Sequence, residues 1–253
     1  MKTRAGIFGG VLGLALALST TVALAASLVV SSQKLSVFRP ATLPPAGIVL
    51  DTTSSVAPVG KVSSLSWNHT VGSGSNRILV VGVSLRKKDR PVTGITYGGI
   101  GGFVFAGAAE RSDADHRVEI WYKVAPAVGT ALIAITLTGD VEVVGGAASF
   151  TGVHQTVPAG TFAGAFGGDA TPTVTVSSAT GEVVIDVLSI NGNAGAVTVG
   201  AGQTQRWSGL TGTGDGNEFG AGSTEPGAAS VTMSWSATTA RKWAIGAIAL
   251  KPA

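Results

Sequence analysis

Apolar side chains alternate with a second set, three charged residues and a tryptophan, along the segment Arg117–Val124, RVEIWYKV. Successive side chains of a β-strand point to opposite faces. One face of this segment is therefore apolar, and the other carries Arg117, Glu119, Trp121 and Lys123. If the apolar face is core, Trp121 lies on an outer face among charges, where it can stack on a sugar ring or a protein partner. The sequence predicts a ligand-binding group here; the alternative is a tryptophan packed beneath a loop.

A second group of candidate residues lies around the loop that follows Trp207. Trp207 and its neighbour Arg206 come directly before a polar, glycine-rich loop, which predicts a ligand-facing edge. Further along, Asp215, Asn217 and Glu218 supply clustered oxygen atoms of the kind that calcium binds. Their spacing fits no complete calcium-binding loop, so the alternative is an acidic turn. A structural calcium ion is the one cofactor that the sequence suggests.

The sequence contains no recognisable catalytic pattern. A serine hydrolase needs its nucleophile on a strained turn, and a glycosidase needs two carboxylates across a cleft. Glu119 and Glu142 are isolated strand residues, which we expect to be solvated. Asp186 interrupts an apolar strand and is interpreted as a partly buried carboxylate with a structural hydrogen bond, or else as a site residue. The histidines are too far apart to form a metal-ligand pattern: His69, His116 and His154. We predict that the protein is not an enzyme; the minor alternative is a glycosidase, which has only the sandwich fold in its favour.

The elements that must position these residues are β-strands. Between residues 63 and 85, large apolar residues recur at alternate positions on both sides of a Gly/Ser/Asn loop, which is the pattern of a hairpin. The same style continues to residue 250, and no helical period occurs after residue 25. We predict an all-β fold: an antiparallel two-sheet β-sandwich of jelly-roll type, after an N-terminal signal helix. Three hairpins, which begin near residues 66, 173 and 234, share a building style that does not by itself establish a duplicated domain.

Two segments precede the predicted sandwich. Residues 1–25 have the basic start, apolar middle and Ala-Leu-Ala end of a secretory signal peptide, so we predict a secreted or cell-surface protein. The alternative is an uncleaved segment that anchors the chain in a membrane. Residues 26–46 are predicted to be an extended segment or linker, and residues 47–253 a single β-sandwich domain. The alternating apolar residues of the linker are also candidates for strand donation to a neighbouring molecule: Leu28, Val30, Leu35 and Val37.

Charge and cysteine content narrow the range of partners. The whole chain has a net charge of +3, and without Lys2 and Arg4 of the signal segment 15 basic residues face 14 acidic ones. A nearly neutral chain is not expected to bind nucleic acid through phosphate contacts. The chain has no cysteine, which excludes disulfides and thiolate metal sites and suits a bacterial surface protein.

Several phrases of the sequence resemble a module of secreted bacterial surface proteins. The resemblance covers about residues 47–253, and its phrases occur in this order: SLSWNHTVGSGSNRILVVGVSLR, ITYGG, RVEIWYKVAP, SFTGVHQTVP, VGAGQTQRW, GAGSTEPGAASVTMSW and WAIGAIALKPA. The resemblance implies a jelly-roll or concanavalin A-like sandwich outside the cell, without an established activity or catalytic residues to carry over. That module often occurs in tandem or beside lectin-like domains, whereas this chain is interpreted as one copy plus the linker.

These observations give three hypotheses for function. The first is a non-enzymatic structural or adhesive domain of the bacterial envelope or matrix. The second is a carbohydrate-binding, lectin-like module that uses Trp121 and Trp207. The third is a filament subunit that assembles by donation of the linker strand. The expected partners are an extracellular glycan, another surface protein or a second copy of the chain.

Overall fold

The computed structural model describes residues 47–111, 113 and 115–253, and the regular elements in that part of the chain are β-strands. The sixteen strands are β1 (Val49–Val56), β2 (Val62–Val71), β3 (Ile78–Leu85), β4 (Val92–Tyr97), β5 (Val104–Glu110), β6 (Arg117–Val124), β7 (Gly129–Val141), β8 (Val143–Thr151), β9 (Ala163–Gly167), β10 (Thr173–Ser177), β11 (Val183–Asn191), β12 (Val197–Val199), β13 (Thr204–Leu210), β14 (Glu218–Pro226), β15 (Ser230–Ala237) and β16 (Trp243–Leu250). All pairings between these strands are antiparallel. The predicted all-β antiparallel fold is confirmed.

The strands form the same arrangement twice. The first eight give a five-stranded sheet in the order β1-β8-β3-β6-β5 and a three-stranded sheet in the order β2-β7-β4. The last eight give β9-β16-β11-β14-β13 and β10-β15-β12, which is the same order with eight added to each number. Pairing the first strand of each half with the last, and the second with the seventh, is the wrapped order of a jelly roll. The predicted hairpin between residues 63 and 85 was wrong, because β2 pairs with β7 in the three-stranded sheet and β3 pairs with β6 and β8 in the five-stranded sheet. The segments that begin near residues 66 and 173 are β2–β3 and β10–β11, which occupy equivalent places in the two halves, 49–151 and 163–250, whereas the segment that begins near residue 234 is β15–β16.

The four sheets pack as four layers with three hydrophobic cores between them. The first core lies between the two sheets of the first half, and the third lies between the two sheets of the second half. The second core joins the two five-stranded sheets. The sandwich expected from the sequence therefore describes each half. The central sheets are covered on both faces, which explains why β3 and β16 are buried along their whole length.

Glycines let the two central sheets approach closely around Trp207. A Cβ atom added to Gly222 would lie 2.5 Å from the Trp207 Nε1 atom, and one added to Gly82 would lie 2.9 Å from its Cζ2 atom. An added Cβ at Gly146 would overlap the indole ring itself. The indole thus fills space that larger side chains at these three positions would occupy, as close packing in protein interiors requires.

The predictions for the N-terminal segment concern residues outside the described part of the chain. These are the signal helix, the linker and the strand-donation residues Leu28, Val30, Leu35 and Val37. Within the described residues, no helix is long and apolar enough to cross a membrane.

Candidate functional site

A five-stranded sheet that faces a three-stranded one leaves part of its surface uncovered. In the first half, the central sheet contributes buried residues to the first core only from β3 and β8. Trp121 on β6 is partly buried and packs against this core, and Phe105 on β5 lies directly opposite it in the β5–β6 pair. Their ring centroids are 4.8 Å apart with planes inclined by 50°, and Phe105 is 47% exposed. We call Trp121, Phe105 and the neighbouring Phe103 the aromatic shelf.

A buried carboxylate fixes the orientation of the shelf. Glu119 is 1% exposed, and its Oε2 atom accepts a hydrogen bond of 2.8 Å from Trp121 Nε1. Its Oε1 atom accepts hydrogen bonds from Arg117 Nε at 2.7 Å and from the Val92 backbone N–H at 3.2 Å. The expectation that Glu119 is solvated was wrong, because these three donors replace water around the carboxylate. Glu142, which was also expected to be solvated, is only 7% exposed. The indole is therefore held on a rigid sheet by a charge-assisted hydrogen bond.

Cations flank the shelf on both sides. Arg117 bridges the buried Glu119 to Glu110 on the neighbouring strand. Lys123 donates a hydrogen bond of 2.5 Å to the Gly101 carbonyl and lies 5.9 Å from the centroid of the Phe103 ring. The structure thus brings together Arg117, Glu119, Trp121 and Lys123, as predicted from the alternation along β6. This surface can stack a flat or puckered ring and offer hydrogen bonds at its margin.

The structure does not place Trp207 at a ligand-facing edge. Its side chain is 5% exposed and belongs to the second core, between the two central sheets. The neighbouring Arg206 turns the other way, and its Nε atom donates a hydrogen bond of 2.7 Å to Thr224 Oγ1. Partial burial lowers the pKa of Arg206. The prediction for Trp207 was wrong because a further sheet covers the face on which it lies.

The three residues predicted to bind calcium point to different partners. Glu218 is fully buried, and its carboxylate contacts Ser189 and His116 rather than the loop. Asn217 Oδ1 accepts a hydrogen bond of 2.9 Å from the Gly214 backbone N–H, and the carboxylate of Asp215 accepts one from Asn193. In the described part of the chain, no group of three or more His, Cys, Asp or Glu side chains could hold a metal ion.

Glu218, His116 and Ser189 form a closed polar cluster between the halves. Ser189 Oγ and Glu218 Oε2 both lie near His116 Nδ1, at 3.0 Å and 3.2 Å. In a catalytic triad the serine and the acid use opposite ring nitrogens, whereas His116 Nε2 has no hydrogen-bond partner among the described residues. All three side chains are fully buried, and burial raises the pKa of Glu218. This cluster connects the halves and is closed to a substrate.

Two further titratable residues have structural roles. Asp186 Oδ1 accepts hydrogen bonds from the Ser223 N–H at 2.7 Å and hydroxyl at 2.8 Å, and its Oδ2 accepts one from Trp235 Nε1 at 2.7 Å. Its interpretation as a structural carboxylate is confirmed, and complete burial raises its pKa to about 7. His69 is held between Ser54 and Thr52, and burial lowers its pKa to about 4.

Comparison with known proteins adds no relative: no protein family model, no curated protein and no solved structure matches this chain. The resemblance to a bacterial surface module stays a prediction. Phe105, the ring partner of Trp121, was not among the residues predicted from the sequence. The segment Phe103-Val104-Phe105 has two aromatic residues at alternate positions, and this pattern could have indicated an aromatic group on one face of the strand.

Proposed function

We propose that this chain is a non-enzymatic, secreted or cell-surface β-sandwich protein with an adhesive role, and that it contacts its partner through the aromatic shelf. The pairing of Trp121 with the 47%-exposed Phe105 is the observation that carries this proposal. Exposed aromatic side chains with a charged margin are typical of an interaction site.

The polar chemistry of the described residues supports a binding role over catalysis. The cluster of Ser189, His116 and Glu218 is closed to solvent. Around the shelf, the carboxylate of Glu119 accepts hydrogen bonds from Trp121 and Arg117 and serves to position them. A general acid or base has to reach the proton that it transfers. The shelf therefore suits recognition of a surface rather than bond cleavage.

Carbohydrate binding is the second candidate function, and the geometry of the shelf favours it. An indole that is fixed by its own Nε1 hydrogen bond presents a ring face of constant orientation, which suits the apolar face of a sugar. Arg117 and Lys123 lie at the margin, where sugar hydroxyls would accept hydrogen bonds. A protein partner would instead bury the shelf within a larger contact area.

A glycan array probed with the secreted chain and with shelf variants tests these candidates. We expect Trp121→Ala and Phe105→Ala each to weaken binding at least tenfold, which corresponds to about 1.4 kcal/mol. Phe166→Ala is the matched control, because Phe166 is 53% exposed on β9 of the other half. Glycan binding that all three variants retain would contradict the carbohydrate proposal. If Trp121→Ala and Phe105→Ala adhered to bacterial cells as well as the Phe166→Ala control does, that result would contradict any role of the shelf in adhesion.

A further inference from the structure

Two edge strands, one from each half, lie next to each other on the same flank of the molecule. Within the described residues, β5 is the last strand of the first central sheet and pairs only with β6, and β9 is the last strand of the second central sheet and pairs only with β16. The two strands are close, since a Cβ atom added to Gly164 of β9 would lie 2.7 Å from the Cβ atom of Ala109 on β5. The outer side of an edge strand carries backbone N–H and C=O groups that no neighbouring strand bonds. This flank therefore offers a sheet edge to another chain.

A groove of about 380 Å³ lies between the two edges, and its mouth is accessible to solvent. Phe166 on its β9 side is 53% exposed, and Gly164 and Glu110 are exposed as well. A chain that approaches this flank can therefore contact these residues without a rearrangement of the fold. We call the residues that line the groove the edge groove: Ala108, Ala109, Glu110, Phe162, Gly164 and Phe166.

The side chains of the edge groove suit an extended peptide. On β5 they are two alanines, with Glu110 at the end of the strand, and small side chains let another backbone approach to the usual spacing between strands of about 4.8 Å. On β9, the exposed ring of Phe166 offers apolar contact to the side chains of such a strand. When a peptide adds a strand to a sheet edge, main-chain hydrogen bonds give affinity and contacts of alternate side chains give specificity. The edge groove therefore favours a segment whose apolar residues recur at alternate positions.

Residues 26–37 of the same chain have such a sequence. Lys34 is their only charged residue, and no proline precedes Pro40, so that each of their backbone N–H groups can donate a hydrogen bond. Their apolar residues recur at alternate positions: Leu28 and Val30, then Leu35 and Val37. The segment leads into β1, which lies at the opposite end of the sheet order from β5. A molecule with a donor segment at one edge of a sheet and an acceptor strand at the other can assemble head to tail.

We propose that residues 26–37 of one molecule add a strand to β5 of a second copy, with apolar side chains in the edge groove. The added strand forms backbone hydrogen bonds along the side of β5 that no described strand occupies, and it covers the exposed ring of Phe166. Because donor and acceptor are different surfaces, the contact repeats from copy to copy and gives an open filament. This assembly goes beyond the proposed adhesive function, and it presents the aromatic shelf in a repeated array, which increases avidity.

Engineered disulfides test the proposal, because the chain has no cysteine of its own. A donor preparation carries one cysteine, at Leu28, Val30, Leu35 or Val37 in turn, and an acceptor preparation carries Ala108→Cys on β5. A disulfide requires Cα atoms within about 7 Å of each other, so we expect a disulfide-linked mixed dimer for at least one of the donor positions. Thr53→Cys is the matched control acceptor, because Thr53 is exposed on β1, the other edge strand of the same sheet. It should give roughly tenfold less mixed dimer.

A chain that carries both the donor cysteine and Ala108→Cys identifies which molecule supplies the strand. Donation to a second copy predicts a ladder of disulfide-linked multimers on a non-reducing gel. A disulfide that closes within single molecules would show that the segment folds back on its own chain, and it would overturn the proposal. The absence of a mixed dimer at all the donor positions, or an equal yield with Thr53→Cys, would overturn it as well.

Deletion of residues 26–37 separates this proposal from the proposed function of the shelf. In analytical ultracentrifugation, the deletion should convert multimers whose size depends on concentration into monomers, and an unchanged sedimentation profile would overturn the proposal. Trp121→Ala should leave the yield of mixed dimer unchanged even where it abolishes binding through the shelf. In the deletion background, the comparison of Trp121→Ala with Phe166→Ala does not depend on assembly, so failure of the shelf and failure of strand donation are distinguishable.

Discussion

The packing of Trp207 gives a stability prediction that separates its buried position from a ligand-facing one. Trp207 is 5% exposed and fills the space over Gly82, Gly146 and Gly222 between the two central sheets. Because glycines cannot extend into the space that the indole leaves, we expect Trp207→Ala to lower the free energy of unfolding by about 3–5 kcal/mol. Trp121→Ala on the partly exposed shelf should cost about 1–2 kcal/mol.

A double-mutant cycle with Gly146 makes this prediction specific. In the wild-type chain, Gly146→Ala places a methyl group inside the indole ring, which should cost about 1–3 kcal/mol by overpacking. In the Trp207→Ala background the same methyl group enters the new cavity. The two changes together should therefore cost at least about 1 kcal/mol less than the sum of the single changes.

Urea unfolding followed by far-ultraviolet circular dichroism is the suitable assay, because it does not depend on the tryptophan that is removed. The second core is shared by both halves, so we expect one cooperative transition. A cost below about 1 kcal/mol for Trp207→Ala would refute the packing argument. Strict additivity with Gly146→Ala would refute it independently, since the two side chains would then not occupy common space.

Two further predictions concern pH. The pKa of Asp186 is raised from 3.8 to about 7 in the folded state, so the folded chain holds a proton that the unfolded chain releases between these values. Its contribution to stability is therefore complete below about pH 4 and falls by about 4 kcal/mol towards pH 7. In urea unfolding, the free energy of unfolding of Asp186→Asn should not show this decrease with pH. The same decrease in the variant as in the wild-type chain would contradict the prediction. The pKa of His69 is lowered from 6.5 to about 4, so its contribution is present above pH 6.5 and is lost as the pH falls. His69→Gln should remove an acid-side loss of about 3 kcal/mol in the same titration, and an identical acid limb in both proteins would refute this.

The sequence predicted those features that depend on the local alternation of a strand. The parity of β6 correctly assigned Val118 and Ile120 to a core and placed Trp121 on the opposite face. This succeeds because the direction of a side chain relative to its neighbours is set by the extended backbone alone. The same reasoning predicted the all-β fold class, but it wrongly joined β2 and β3 into a hairpin, because alternation within a strand does not state which strand is its partner.

Parity states which face a residue occupies, but it does not state what covers that face. Trp207 and Glu218 were predicted at an exposed edge and loop, and both are buried by residues of the other half or of distant strands. Glu218 contacts His116, which is 102 positions earlier in the chain, and Trp207 lies against Gly146. Such contacts follow from the stacking of two jelly rolls through their larger sheets. The similar style of the β2–β3 and β10–β11 segments was the sequence signal of this duplication, and similarity of style is too general to establish it.

The duplication also provides an internal reference for the aromatic shelf. Both edge pairs, β5–β6 and β13–β14, have a register shift at the same point, so Phe105 opposite Trp121 corresponds to Gln205 opposite Ser223. In the second half this place is polar: Ser223 accepts a hydrogen bond of 2.7 Å from Gln203 and donates one to the buried Asp186. The same fold therefore forms without aromatic residues at these positions. The exposed rings of the first half are not required by the jelly-roll architecture, which favours their retention for contact with a partner.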